Sequence, residues 1–87
     1  MSEETLLEFP CDFPIKVMGQ MQDGFAQSML DIVLHHAPDF DATTVEMRTS
    51  SGGKYLSLTC TIRATSKTQL DELYRELSGH PLVSLVL

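Results

Sequence analysis

The sequence predicts an α+β domain in which one antiparallel sheet carries its helices on a single face. Three observations lead there. Ten residues, Tyr55 to Ala64, alternate polar and apolar without a break. Two segments, one after Asp23 and one after Ser66, repeat apolar residues at helical spacing. A glycine-bearing turn, Ser50-Ser51-Gly52-Gly53-Lys54, joins the second and third strands as a hairpin. Successive strand side chains point to opposite faces. Leu56, Leu58, Cys60, Ile62 and Ala64 therefore share one face, and Tyr55, Ser57, Thr59, Thr61 and Arg63 the other. A strand this one-sided belongs to a sheet covered on one side only.

The elements follow in order. Residues 1–12 read as an N-terminal leader segment that packs on the domain through Leu6, Leu7 and Phe9, with Pro10 breaking regular structure. The domain proper is expected over 13–87. Phe13 to Met21 predicts the first strand, with Ile15, Val17, Gly19 and Met21 alternating with Lys16, Met18 and Gln20. Asp23 is placed to cap the first helix, worth about 1 kcal/mol. Phe25, Met29, Ile32, Val33 and His36 form that helix's stripe, and Pro38 ends it. Thr43 to Thr49 predicts the second strand, with Val45 and Met47 facing in and Glu46 and Arg48 facing out. After the alternating third strand, Ser66-Lys67-Thr68-Gln69 fits a capping box. Leu70, Leu73, Tyr74 and Leu77 give the second stripe, Gly79 a stop and Leu82 to Leu87 a terminal strand. The order βαββαβ is the ferredoxin-like arrangement. Right-handed crossovers place the strands four-one-three-two, with both helices on one face.

Eighty-seven residues make one domain. The net charge is −6, and no two of the six basic residues are adjacent. That argues against nucleic acid and anionic membrane surfaces, which need clustered Lys and Arg. No run approaches the roughly 20 apolar residues of a membrane span. The acidic Met1-Ser2-Glu3-Glu4-Thr5 lacks the features of a signal peptide, so a cytoplasmic protein is expected. Cys11 and Cys60 are expected to be free thiols there.

No CxxC pair is present, and the loop Gln20-Met21-Gln22-Asp23-Gly24 has no Arg or Lys for phosphate chemistry. His35 and His36 point about 100° apart on a helix and cannot easily grip one ion. His36 reads as a partly buried residue near a helix C-terminus, where the dipole favours imidazolium. No nucleophile–base signature stands in the chain. The residues thus predict no enzyme, no metal and no cofactor.

Two places remain as candidate sites. The turn between the first strand and first helix could hold a small ligand through Lys16, Gly19, Asp23 and Gly24, using helix N-terminal N–H groups. The plainer alternative is that Gly19 relieves crowding on a central strand. The terminal strand, with Leu82, Val83, Ser84, Leu85 and Val86, is an uncharged edge of the kind that invites pairing. It could meet a protein partner or a second copy, unless residues 1–10 cover it.

Several segments together carry a family resemblance. They are Leu7-Glu8-Phe9-Pro10, Ile15-Lys16-Val17-Met18-Gly19, His36-Ala37-Pro38, Ser50-Ser51 with Gly53 and Tyr55, Ser57, Leu73-Tyr74 with Glu76-Leu77, and Val86-Leu87. In this order they resemble the YbeD family of small proteobacterial proteins of unassigned function. The resemblance implies a ferredoxin-like fold similar to the ACT regulatory domains of amino-acid enzymes. It also implies gene neighbourhoods beside lipoyl-transfer enzymes, hence a role in regulating lipoate metabolism. The chain departs from ACT domains before the first helix, where Gln20-Met21-Gln22-Asp23-Gly24 replaces an Asp-x-Pro-Gly type turn. The expected function is a non-enzymatic regulatory or protein-interaction domain. The alternative is a sensor of an amino acid or lipoyl-related molecule at the strand–helix turn.

Overall fold

The structure, a computed structural model, describes residues 8–87. Its elements are β1 (Cys11–Gln20), α1 (Phe25–His36), a 3-10 turn (Ala42–Thr44), β2 (Glu46–Thr49), β3 (Tyr55–Ala64), α2 (Lys67–Ser78) and β4 (Val83–Val86). The strands form one antiparallel sheet in the order β2-β3-β1-β4. That is the ferredoxin-like order the sequence predicts.

β1 and β3 pair along all ten residues, from Cys11 opposite Ala64 to Gln20 opposite Tyr55. This register sets Ile15 beside Cys60 and Val17 beside Leu58, all fully buried. Phe25, Met29, Ile32 and Val33 of α1 and Leu70, Leu73 and Leu77 of α2 close the core from one side. Each such side chain contributes about 1.5–3 kcal/mol by leaving water.

The second helix starts as its sequence predicts, with one refinement. Ser66 Oγ accepts from the Gln69 N–H at 3.0 Å. Gln69 Oε1 reaches one residue beyond the expected box partner and accepts from the Thr65 N–H at 2.7 Å. In the hairpin, Gly52 and Gly53 stand at φ +89° and +73°, where side chains other than glycine's are strained. Ser50 secures the turn, its Oγ accepting from the Tyr55 N–H at 3.1 Å.

Four expectations need correction. β1 begins at Cys11, not Phe13, and ends before Met21. Cys11 and Asp12 therefore belong to the sheet rather than to a leader, and an Asp12–Arg63 ion pair at 3.1 Å holds that end. Phe9 packs on the core, whereas the expected contacts of Leu6 and Leu7 lie outside the described residues. Asp23 does not cap α1: the cap position is Gly24, at φ +85°, and no side chain bonds there. β2 starts at Glu46, not Thr43. Asp41 explains that, since its Oδ1 accepts from the Thr43 N–H at 3.0 Å and the Thr43 hydroxyl at 2.6 Å, winding 42–44 into a 3-10 turn. Those bonds hold the Asp41 carboxyl below its usual pKa. Met47, expected inside, is 56% exposed, because the helices pack on β1, β3 and β4 and leave edge strand β2 largely uncovered.

Candidate interaction surfaces

The β4 edge is built from one short ladder. Lys16 and Leu87 exchange both backbone bonds, at 3.1 and 2.8 Å. Backbone groups alternate sides along an antiparallel pair, so the N–H and C=O of Val86 point away from β1. Among the described residues no strand pairs with that outer side. The side chains of Pro81 to Leu87 are uncharged, and Ser78 with Val83, Ser84, Leu85 and Val86 lines a shallow depression of about 260 Å³. The half of β1 that β4 does not cover is different. The same alternation turns the backbone of Pro14 and Asp12 towards that bare edge. Proline offers no N–H there and Asp12 brings charge, two standard ways of blunting an edge. β4 has neither device.

The candidate turn is dispersed by the fold. Gly19 is buried, and a Cβ added to it would come within 2.3 Å of the Leu82 carbonyl oxygen and 2.5 Å of the Phe25 ring. Its missing side chain makes room for the first helix and for the approach to β4. Lys16 is exposed on the opposite, open face of the sheet, across from Thr59. Asp23 and Gly24 are exposed in the turn. The depression beside that turn, about 320 Å³, is lined instead by Gln20, Met21, Lys54 and Tyr55. Lys54 and Tyr55 arrive through the hairpin, since the Met21 N–H donates to the Lys54 carbonyl at 2.8 Å. The signal for them was the strand pairing that brings the hairpin base to the end of β1.

The histidines have structural partners. His36 Nε2 lies 2.7 Å from Glu76 Oε1 across the helix pair, and His35 stands edge-on to the His36 ring. His80 Nδ1 accepts from the Leu82 N–H at 3.1 Å and shapes the entry to β4. Cys60 is fully buried, and burial pushes its thiol up to about 11. Cys11 is half-buried, and both thiols are free. Among the described residues no three His, Cys, Asp or Glu side chains gather as a metal site. No described helix is long and apolar enough to cross a membrane.

A one-sided four-stranded sheet with two covering helices defines a small domain of ferredoxin-like, ACT-like fold. The structure superposes on the ACT domain of a GTP pyrophosphokinase from Chlorobium tepidum with a TM-score of 0.60, at 18% identity, covering 88% of this chain and 97% of that one. It superposes on protein HP0495 from H. pylori with a TM-score of 0.73, also at 18% identity, covering 93% and 85%. At such identities the likeness is one of fold. The chain belongs to the family described as "Protein of unknown function (DUF493)", which matches residues 4–87. It is 63% identical over 87 residues to a UPF0250 protein of Nitrosomonas europaea, all of both chains. It is 60% identical over 85 residues to one of Bordetella pertussis, spanning 98% of this chain and 93% of that relative. The family resemblance read from the sequence is borne out.

Proposed function

We propose that this protein is a non-enzymatic, ACT-like regulatory domain of the cytoplasm that acts by docking, through the β4 edge, to a partner protein or a second copy. One observation carries the reading. The uncharged β4 strand turns the backbone groups of Val86 outward, beside a β1 edge blunted by Pro14 and Asp12. Strand addition at such an edge draws affinity from main-chain bonds and specificity from alternate side chains. Leu82, Val83, Ser84, Leu85 and Val86 are the contact residues. The lipoate link implied by the family resemblance makes lipoyl-transfer enzymes the first partners to try.

Size-exclusion chromatography with light scattering, together with affinity capture from extract, tests the proposal. The expected result is a dimer or a retained stoichiometric partner. A monomer that retains nothing at micromolar concentration contradicts it.

A second reading, sensing of an amino acid or lipoyl compound at the strand–helix turn, keeps Asp23 and Gly24 of the four expected residues, without Lys16 and Gly19, and is supported by the uncapped start of α1 at Gly24. First-turn N–H groups without a side-chain partner suit an anionic ligand. A thermal-shift screen discriminates, because ligand at 100 times its dissociation constant stabilises by about 2.7 kcal/mol. No shift with any candidate rejects this reading.

A further inference from the structure

The open face of the sheet has a charge balance opposite in sign to that of the whole chain. Strand register builds two rows across it: Arg48–Ser57–Met18–Leu85 and Glu46–Thr59–Lys16–Leu87. Tyr55 begins the next row, opposite Gln20. This face and its hairpin carry Lys16, Arg48, Lys54 and Arg63 against Asp12 and Glu46, in a chain of net charge −6. The helices on the other face carry Asp31, Asp71, Glu72 and Glu76 against Lys67 and Arg75. On the open face Arg63 pairs with Asp12. Among the described residues Lys16, Arg48 and Lys54 make no ion pair.

Apolar groups are interleaved with these cations. Tyr55, Leu85 and Leu87 are 46%, 47% and 61% exposed. Met18 and Tyr55, with Arg48 at the rim, border a depression of about 260 Å³. Four strands at about 4.8 Å spacing give a platform about 15 Å wide, enough for one helix of about 10 Å diameter.

We propose that this open face docks an acidic amphipathic helix of a partner protein. The helix would set apolar side chains at i, i+3, i+4 and i+7 on Met18, Tyr55, Leu85 and Leu87. Its Glu and Asp residues would meet Lys16, Arg48 and Lys54. A flat sheet face reads such a helix by charge and by apolar spacing, and complementary potential speeds encounter and rejects basic partners. This surface shares Leu85 with the β4 edge, but edge pairing uses the outward backbone of Val86 and helix docking uses side chains of the open face. Charge reversal at Arg48 and Lys54 therefore tests the inference separately from edge pairing.

The test pans a random 16-residue peptide library displayed on phage against the full chain at low salt. The best peptide is then synthesised and titrated into the isotopically labelled protein by NMR. Expected are acidic peptides with helical apolar spacing, and shifts centred on Met18, Tyr55, Ser57 and Leu85. Arg48→Glu/Lys54→Glu weakens binding about tenfold or more, and raising salt from about 50 to 300 mM weakens it several-fold. Both replaced side chains are exposed, and an unchanged melting curve confirms that the variant folds. Basic or neutral peptides, shifts confined to the helices, no enrichment, or binding indifferent to the charge reversal overturns the proposal. So does equal binding of a single-stranded ten-nucleotide RNA on this face, or a wild-type dimer that the charge reversal dissociates.

Discussion

Gln69 ties the start of α2 to the end of α1, its Nε2 donating to the His36 carbonyl at 2.9 Å. The same amide's Oε1 accepts from the Thr65 N–H. One side chain thus satisfies a carbonyl left over at one helix end and a donor at another. The His36–Glu76 contact closes the same seam from the other side.

Removing that amide separates its two roles. Gln69→Ala loses these bonds and the one from the Thr65 hydroxyl at 3.2 Å, and is expected to cost about 1–2 kcal/mol, the usual range for a cap. Gln69→Glu keeps an acceptor for Thr65 and loses only the donor to His36, so its cost is smaller. Chemical denaturation of both variants checks the order.

Gly19→Ala tests the reading of that glycine as a packing element. The added methyl group meets the Leu82 carbonyl and the Phe25 ring, and overpacking of this kind costs about 1–3 kcal/mol. The loss should appear in the melting temperature with no ligand added. A variant as stable as wild type would return Gly19 to the ligand reading.

Cys60 makes stability fall in alkali. Its folded pKa is raised from 9.0 to about 11 by burial, so the folded state holds the proton more tightly than the unfolded chain. The contribution is full below about pH 9 and is lost as pH rises through 9 to 11. Tyr74, raised by burial as well, acts in the same direction. Cys60→Ala should flatten the decline without abolishing it. At pH 8 a thiol reagent should modify one cysteine, half-buried Cys11, and reach the second only after unfolding.

Met47→Thr should change stability by less than about 0.5 kcal/mol, because the side chain is already in water. Leu58→Ala, directly across the ladder, should cost about 2–5 kcal/mol. Equal losses from the two would mean that β2 is covered after all.

The elements legible in the sequence were those whose signal is local. The ten-residue alternation of β3 survives unchanged because the same strand is central and half of it must face the core. The Ser66–Gln69 cap was readable because its partners are three residues apart. Met47 was misread because alternation tells which face a residue takes, not whether a helix lies over it. Asp41 was missed because its bonds to Thr43 compete with a strand that local propensity also favours. Gly19 could not be interpreted without Leu82, 63 positions later, whose carbonyl fills its space. Alternation alone already placed Lys16, Arg48 and Arg63 on the polar face, and register added which neighbours stand beside each of them.

The most direct measurement on the docking reading is amide hydrogen exchange of Val86 and Leu87, in the dilute protein and in the dimer or captured complex. Leu87 donates to Lys16 and should be protected in both states. Val86 points outward and should exchange fast in the dilute protein, then slow by about tenfold or more once a strand is added to the β4 edge. A Val86 amide equally fast in the assembled state, with new protection on another surface, would contradict edge docking.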